Sequence, residues 1–385
     1  MAEYSNEETF ELTFTPDPAL ASSPGAKHLC TKLDSFRFDG PNGNHLVLVF
    51  EPLGRSFEEV IELCSRGASD PEYDPGVYGT REWSAVFGRE ASRQIALGLE
   101  YLHAHGVMHR DIQPGNIMLG LTYDVDLYTK DQVQYDVWED KAEDDGDESN
   151  LDEEAWSEMN VRRLKNYLNI LERSDGEPLA PNHPPYTVAA ISLNDRLKFG
   201  PPPPTDFTVK LIDLGSACKF EDCNDGKTPY PIDIRAPEIV VGLPYNEKAD
   251  VWALACTIFR IVTMEPLIPL WMTADAEATD DEHLKNMIDR FGKLPDSIVS
   301  SWIRANKHIN AEGKILEPDE YNPDSCQFGD VWQGIRLAKP KDMSETEAKM
   351  FCDLLVKMLD YDINKRLSMK EVLKHPWFTA EKFTE

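Results

Sequence analysis

The sequence predicts an α+β fold, in which a small part containing strands precedes a large helical domain. The apolar run "HLVLVF" (45–50) predicts a buried strand, which ends at "EPLG". Apolar residues three or four apart predict a helix from about residue 82 to the region of Gly106. After residue 238 the spacing is helical throughout, and "ADVWALACTIF" (249–259) is apolar on every side. This last segment is therefore expected to be a buried central helix.

Further short elements follow from the same patterns. "TFELTFT" (9–15) alternates apolar and polar residues and predicts one strand. "NIMLG" (116–120) and "FTVKLID" (207–213) predict two short strands on either side of a long interruption. An apolar stripe predicts the first long helix: Trp83, Val86, Phe87, Ala91, Ile95, Leu99 and Leu102. A second stripe predicts a helix near the C-terminus: Phe351, Leu354, Leu355, Met358 and Leu359.

The interruption, at 121–206, has a different composition from the rest of the chain. Residues 131–160 hold thirteen acidic residues against a single lysine, Lys141, and "PPPP" (201–204) closes the segment. Such a charge run is typical of a solvated loop, although a docking site for a basic partner is the alternative. Within it, "VRRLKNYLNILER" (161–173) predicts a short helix.

Charge and composition exclude several classes of function. The chain has 385 residues and a formal net charge of −30, whereas direct binding to nucleic-acid phosphate needs a basic face. A basic protein partner fits this charge better, although acidity that only keeps the chain soluble is an equal alternative. The run "VWALACTIF" stops at Arg260 and is too short to span a membrane. The acidic N-terminus suggests no signal peptide, and seven irregularly spaced cysteines suggest reduced thiols inside the cell.

Candidate catalytic residues lie in "HRDIQPGN" (109–116) and in "DLG" (213–215). Phosphoryl transfer needs a carboxylate that meets the incoming hydroxyl, together with hard oxygen ligands for magnesium. Asp111 suits the first role, and Asn116 and Asp213 suit the second. Asp111 and Asp213 each follow a short apolar segment, which can anchor the backbone while the side chains face a cleft.

These motifs resemble, in their order, those of the eukaryotic protein kinases. "HRDIQPGN" resembles the catalytic loop, "DLG" the metal-binding triplet, and "APE" (236–238) the end of the activation segment. The resemblance implies that His109 packs internally and that Asp250 braces the catalytic loop. It also implies that Arg366 pairs with Glu238. For Arg110 it leaves two interpretations open, a phosphate-binding role or a segment that is ordered without phosphate.

A closer resemblance is to the serine/arginine-rich protein kinases of the CMGC group. It rests on "LDSFRFDGPNGNHLVLVFEPLG" (33–54), on "DEHLKNMIDRFGKLP" (281–295) and on the long insert at 121–206. It implies a kinase-like fold made mainly of the helical C-terminal lobe, at 54–385. Residues 1–53 then correspond to a reduced β lobe and the hinge.

The same resemblance implies ATP and Mg²⁺ as cofactors and serine in Arg/Ser-rich proteins as the acceptor. It gives Glu51 and Leu53 backbone contacts with adenine, Phe50 the back of the adenine pocket, and Met118 its floor. Ordinary core packing is the alternative for Phe50 and Met118. A monomer in the cytoplasm or nucleus is expected, with no direct nucleic-acid or membrane contact.

Two departures from the family pattern leave the activity open. Residues 1–50 contain no G-x-G-x-x-G, and their two lysines, Lys27 and Lys32, do not lie in a "V-A-I-K"-like strand. Gln113 stands where the family usually has a lysine that reaches the transferred phosphate. Three hypotheses remain: a piece of a longer active kinase, a catalytically impaired pseudokinase scaffold that binds basic partners, or an atypical small lobe that still closes over nucleotide.

Overall fold

The computed structural model describes residues 18–20, 22–40, 43–66, 84–121, 168–170, 186–188, 207–223, 230–270, 275–316, 329–380 and 383. The chain forms two compact units. The helical unit comprises residues 1–30, 56–120 and 197–385, and the ribbon unit comprises residues 31–55 and 121–196. The predicted domain boundary at residue 53 stays a prediction, and the strand predicted at 9–15 lies outside the described residues.

The described part of the ribbon unit contains two antiparallel ribbons. Strand β1 (Lys32–Gly40) pairs with β2 (Gly43–Phe50), with Phe36 opposite Val47. The strand predicted at 45–50 is therefore present, but the expectation that it is buried is wrong. Every residue of β2 is exposed or half-exposed, and Phe50 is 38% exposed. The physical reason is that pairing between two strands covers only their facing edges, so both faces of the ribbon stay open unless another element packs on them.

The second ribbon corrects another expectation. Strand β6 (Leu168–Ile170) pairs antiparallel with β7 (Tyr186–Val188), and Leu168 lies opposite Val188. The helix predicted over 161–173 is thus wrong at 168–170. Tyr, Thr and Val in β7 favour extended backbone, so pairing with that strand overrides a local helical spacing of only a few residues. A separate short strand, β3 (Leu53–Ser56), follows the first ribbon in the chain.

The helical unit contains the helices, which confirm the predicted α+β class. They are α1 (Phe57–Arg66), α2 (Ala85–Ala104), α3 (Pro237–Val240), α4 (Lys248–Thr263), α5 (Ala276–Phe291), α6 (Asp296–Ser301), α7 (Ala305–His308), α8 (Val331–Ala338), α9 (Glu345–Met358), α10 (Met369–Val372) and α11 (Pro376–Thr379). The predicted helical character after residue 238 is confirmed for the described residues. An isolated bridge between Ile309 and Ile315 is the extended exception there.

Helix α2 follows the sequence pattern closely. Its N-cap is Ser84, whose hydroxyl accepts a hydrogen bond from the Phe87 amide at 3.1 Å. It ends before Gly106, whose φ of +69° suits glycine. Of the predicted stripe, Phe87, Ala91, Ile95, Leu99 and Leu102 are buried. Val86 is instead 53% exposed, because it lies in the first turn one residue before Phe87 and points to a different side of the helix. Trp83 lies outside the described residues.

Helix α4 is the central element of the hydrophobic core. Its described side chains from Ala249 to Phe259 are all buried, as the sequence predicts. Helix α9 is also confirmed, with Phe351, Leu354, Leu355 and Met358 buried. The Phe351 ring stacks on that of Trp377 in α11, with centroids 4.6 Å apart. These contacts make the helical unit one continuous core.

Four short strands of the helical unit position the loops that carry the candidate site. β4 (Val107–Met108) pairs antiparallel with β9 (Cys218–Lys219). β5 (Ile117–Gly120) pairs antiparallel with β8 (Val209–Leu211), with Ile117 opposite Leu211, and both strands were predicted. The loop at 109–116 therefore runs between β4 and β5, and the loop at 212–217 runs between their two partners.

None of the helices in the described part of the chain combines the length and the apolar character that crossing a bilayer requires.

The packing of α9 gives a direct test of where the core lies. We expect Leu354→Ala to lower the free energy of unfolding by about 2–5 kcal/mol, because this fully buried side chain leaves a cavity. Val356→Ala, on the same helix but 53% exposed, should change it by less than about 0.5 kcal/mol. Urea unfolding followed by circular dichroism measures both. Equal losses would show that α9 does not face the core in this way.

Candidate active site

The loop at 109–116 brings three predicted residues together around one carboxylate. Asp111 Oδ2 accepts a hydrogen bond from Asn116 Nδ2 at 2.7 Å, and Asp111 Oδ1 accepts one from Gln113 Nε2 at 2.8 Å. The Asn116 amide also donates to the Asp111 carbonyl at 3.0 Å. A 3₁₀ turn over Pro114–Asn116 makes this spacing possible, because it folds the chain back towards Asp111.

Gln113 occupies a specific place in this arrangement. Its side-chain amide is a neutral donor, so it orients the Asp111 carboxylate without neutralising the charge. A lysine at this position would add a positive charge beside the same oxygen. The sequence indicated a missing charge at residue 113, and the structure adds the atom with which the glutamine interacts.

Asp213 is tied to the same loop through the residue before it. The Ile212 amide donates to the Asn116 carbonyl at 3.1 Å, and the Ile212 carbonyl accepts from His109 Nε2 at 3.1 Å. Asp213 itself has a φ of +62°, an uncommon conformation for a non-glycine residue, and its Oδ1 accepts from the Gly215 amide at 3.1 Å. The main chain at 212–213 is therefore fixed relative to 109–116.

Asp250, near the start of α4, anchors the loop at 109–116 by hydrogen bonds. Its Oδ2 accepts from the His109 amide at 2.8 Å and from His103 Nε2 at 3.0 Å. Its Oδ1 accepts from the Arg110 amide at 2.9 Å and from the Tyr230 hydroxyl at 2.8 Å. Arg110 has a φ of +67°, so these bonds hold the backbone in a strained conformation directly before Asp111.

Burial sets the protonation behaviour of these groups. Removal from water raises the pKa of Asp111, against the opposing effects of the His109 ring and the Asn116 amide, and the charge of Asp213 raises it further. Burial lowers the pKa of His109. For Asp250, burial alone would raise the pKa of the carboxyl. The pKa is nevertheless lowered, because the carboxylate is stabilised by the hydrogen bond and charge of His103, by the His109 ring and by the Tyr230 hydroxyl. Asp250 is therefore a stable anion, and Asp111 is the more basic carboxylate.

Arg110 and Arg366 make two further contacts that fix the surrounding segments. Arg110 Nε donates to the Ser216 carbonyl at 2.6 Å, which ties the 3₁₀ turn after Asp213 to the loop. Arg366 forms a bidentate pair with Glu238, at 2.7 and 3.0 Å, and its side chain is fully buried. The Arg366 guanidinium also lies 5.0 Å from the centre of the Trp252 ring.

The residues predicted to contact adenine fall into both units. Met118 lies in β5, opposite Lys210 of β8, in the helical unit. Phe50, Glu51 and Leu53 lie in the ribbon unit, where the Glu51 amide donates to the Thr31 carbonyl at 3.0 Å and Glu51 Oε1 accepts from the Thr31 amide at 2.7 Å. Their common role around adenine stays a prediction.

Three site-supporting residues were not anticipated from the sequence. Thr257 Oγ1 donates to the Ile112 carbonyl at 2.6 Å, and His103 and Tyr230 donate to Asp250. Thr257 lies seven residues after Asp250, on the same face of α4, so helical periodicity could have predicted that both face the loop. His103 and Tyr230 are remote from Asp250 in the chain, and no local pattern points to them.

The donor set at Asn116 and Asp213 fits a magnesium ion. Because the Asn116 amide nitrogen donates to Asp111, the amide oxygen is the atom left for a cation. Mg²⁺ prefers hard oxygen ligands and usually binds through one or two carboxylates while it keeps several waters. In the part of the chain that the structure describes, no group of three or more His, Cys, Asp or Glu side chains is arranged to hold a metal ion.

Comparison with known proteins is consistent with this geometry. The family model described as "Protein kinase domain" matches residues 204–378, a range that contains Asp213, Glu238, Asp250 and Arg366. The serine/threonine-protein kinase SRPK of Physarum polycephalum is 28% identical over 362 residues, which cover 92% of this chain and 72% of that protein. Protein kinase dsk1 of Schizosaccharomyces pombe is 23% identical over 401 residues, covering 92% of this chain and 69% of that protein.

A solved structure shows the same fold. The crystal structure of a kinase domain superposes with a TM-score of 0.53 and covers 97% of this chain and 82% of that one, at 19% sequence identity.

Removal of the Asp250 carboxylate tests whether it supports the site. We expect Asp250→Ala to lower the free energy of unfolding by about 3–5 kcal/mol, because two backbone amides and two side chains lose a buried charged acceptor. Asp296→Ala removes an exposed carboxylate and should cost less than about 1 kcal/mol. Urea unfolding at neutral pH measures both. A loss at Asp250 no larger than at Asp296 would contradict the role of anchor.

Proposed function

We propose that the chain is a serine/threonine protein kinase of the serine/arginine-rich protein kinase type, which transfers the γ-phosphate of ATP to serine in Arg/Ser-rich proteins. One observation carries the proposal at the level of chemistry. Asp111 is held by Gln113 and Asn116 in a loop whose main chain is bonded to the residue before Asp213. These are the groups that phosphoryl transfer to a hydroxyl needs.

Asp111 is the proposed base. It accepts a hydrogen bond from the serine hydroxyl, orients the oxygen towards the phosphate, and takes the proton as the new phosphate ester forms. The raised pKa of Asp111 makes it a better proton acceptor than an exposed carboxylate. The bonds from Gln113 and Asn116 restrict the carboxylate to one orientation, which lowers the entropy cost of reaching the reactive geometry.

Asn116 and Asp213 are the proposed ligands for Mg²⁺. When bound there, the ion neutralises negative charge on the phosphates of ATP. A backbone bond joins the Asn116 carbonyl to the amide of Ile212, the residue before Asp213, so the main-chain link between the two proposed ligand residues does not involve the ion. For adenine we propose backbone contacts at Glu51 and Leu53 and an apolar contact at Phe50, all in the ribbon unit, whereas the adenine contact of Met118, in the helical unit, stays a prediction.

The charge of the chain supports an arginine-rich substrate. A formal net charge of −30 attracts cationic protein segments, and the guanidinium group of arginine pairs well with carboxylates. The same charge disfavours direct binding to nucleic-acid phosphate or to an anionic membrane surface. We propose a monomer that acts in the cytoplasm or the nucleus.

A binding module without catalytic turnover is the second candidate. Two sequence observations favour it, the neutral Gln113 and the absence of a G-x-G-x-x-G in residues 1–50. Such a module keeps the acidic surface but gains no stability from nucleotide, because a ligand stabilises a protein only when it binds.

Replacement of the proposed base tests the main function. We expect Asp111→Asn to lower phosphate transfer from Mg-ATP to an Arg/Ser peptide by at least about a hundredfold, because a carboxamide cannot accept the proton. Asp296→Asn, which alters an exposed carboxylate, should leave the rate unchanged. Incorporation of labelled phosphate into the peptide measures both. Equal rates in parent and Asp111→Asn would refute this role of Asp111.

Thermal unfolding separates the two candidates. Millimolar Mg-ATP should raise the melting temperature of the parent and of Asp111→Asn alike, since Asp111 is not a nucleotide ligand in this proposal. It should raise that of Asp213→Asn less, because one magnesium ligand is weakened. No rise in any of the three proteins would favour the binding module.

A pH profile tests the contact of residue 113 with the base. Because Asp111 acts in its ionised form, kcat/KM should rise as the pH increases through its pKa. His109 and Asp213 are the titratable groups that act on this carboxylate. In Gln113→Lys an added cation favours the ionised form, so the acidic limb should move to lower pH, whereas in Gln113→Glu it should move to higher pH. Limbs that coincide in all three proteins would contradict the contact.

A further inference from the structure

We infer that Tyr230 is a positioning residue, which joins the segment at 230–238 to the catalytic loop so that the two are held as one unit. For its effect on catalysis this inference rests on the proposed function. The coupling itself rests only on contacts within the helical unit. Neither the motifs nor the family resemblance pointed to residue 230.

The side chain of Tyr230 is bonded to the anchor of the loop. Tyr230 is 1% exposed, and its hydroxyl donates to Asp250 Oδ1 at 2.8 Å. The same oxygen accepts the Arg110 amide at 2.9 Å, so one atom connects Tyr230 to the backbone immediately before Asp111. Burial, and then the charge of Asp250, raises the pKa of the Tyr230 hydroxyl well above its usual range, so it remains a donor at every physiological pH.

The main chain of Tyr230 is bonded to the rest of its own segment. The Tyr230 carbonyl accepts from Arg235 Nε at 3.2 Å and from Arg235 Nη2 at 2.9 Å. Arg235 in turn pairs with Asp280 of α5 at 3.5 Å, and its carbonyl accepts from His283 Nε2 at 3.0 Å. Glu238 closes the segment through its pair with Arg366. Tyr230 is thus held at both its hydroxyl and its carbonyl.

The four donors to Asp250 differ in where they come from. His103 belongs to α2, and the amides of His109 and Arg110 belong to the loop itself. Tyr230 is the donor that comes from the segment at 230–238. Loss of its hydroxyl therefore leaves the loop with its own bonds to Asp250, but it removes the connection that runs from the segment through Asp250 to the loop.

Kinetics test the consequence for catalysis. We expect Tyr230→Phe to lower kcat for an Arg/Ser peptide about tenfold, which is the range for a lost hydrogen bond to a charged group, while the KM for Mg-ATP stays unchanged. Tyr245→Phe is the matched control. The Tyr245 ring packs edge-on against Tyr230, and its hydroxyl is not among the described donors to Asp250. Assays at a temperature where all variants are folded exclude a general loss of stability. An unchanged kcat in Tyr230→Phe would overturn the catalytic role.

Hydrogen exchange tests the coupling without any assay of activity. In Tyr230→Phe, backbone amides at 107–112 and at 230–238 should both exchange faster than in the parent, by about tenfold. In Tyr245→Phe the amides at 107–112 should keep their parental rates. Faster exchange confined to 230–238 would overturn the coupling. If the parent itself transfers no phosphate, the proposed function fails, and this experiment still decides the inference.

Discussion

The arrangement of the candidate site depends on one buried carboxylate. Asp250 is 0% exposed, and an unpaired ionised group in such a place would cost several kcal/mol. Four donors among the described residues offset that cost, and two of them are the amides of His109 and Arg110. Because Arg110 has a positive φ, the bonds to Asp250 hold an otherwise unfavourable backbone that presents Asp111. The chemistry proposed for Asp111 is therefore supported by a charge that takes no part in it.

Sequence reasoning was most informative where chemistry restricts both residue type and spacing. The pair Asp111 and Asn116, the strands at 117–120 and 209–211, and the apolar helix α4 were all predicted from local patterns. Val86 was misplaced because an apolar residue in the first turn fits a helical spacing whether or not it faces the core. Tyr230 and His103 had no local signal, since a bond between residues far apart in the chain leaves no periodicity.

The ribbon unit shows another reason why prediction failed. An apolar run such as 45–50 predicts a strand well, but burial depends on what else packs against that strand. At 168–170 the partner strand at 186–188 determines the conformation. That partner lies too far along the chain to be included when a short stretch of sequence is considered by itself. In both cases the missing information is the identity of a distant neighbour.

The wide separation of the Asp250 contacts has a consequence for synthesis of the chain. Asp250 lies 141 residues after His109 and 140 after Arg110. A ribosome that has released residues up to 120 has already made Asp111 and Asn116, yet the acceptor that shapes their loop does not exist. Closure of so long a segment is slow compared with local helix formation. A nascent or prematurely terminated chain that stops before residue 250 consequently lacks the acceptor that holds the His109 and Arg110 amides before Asp111.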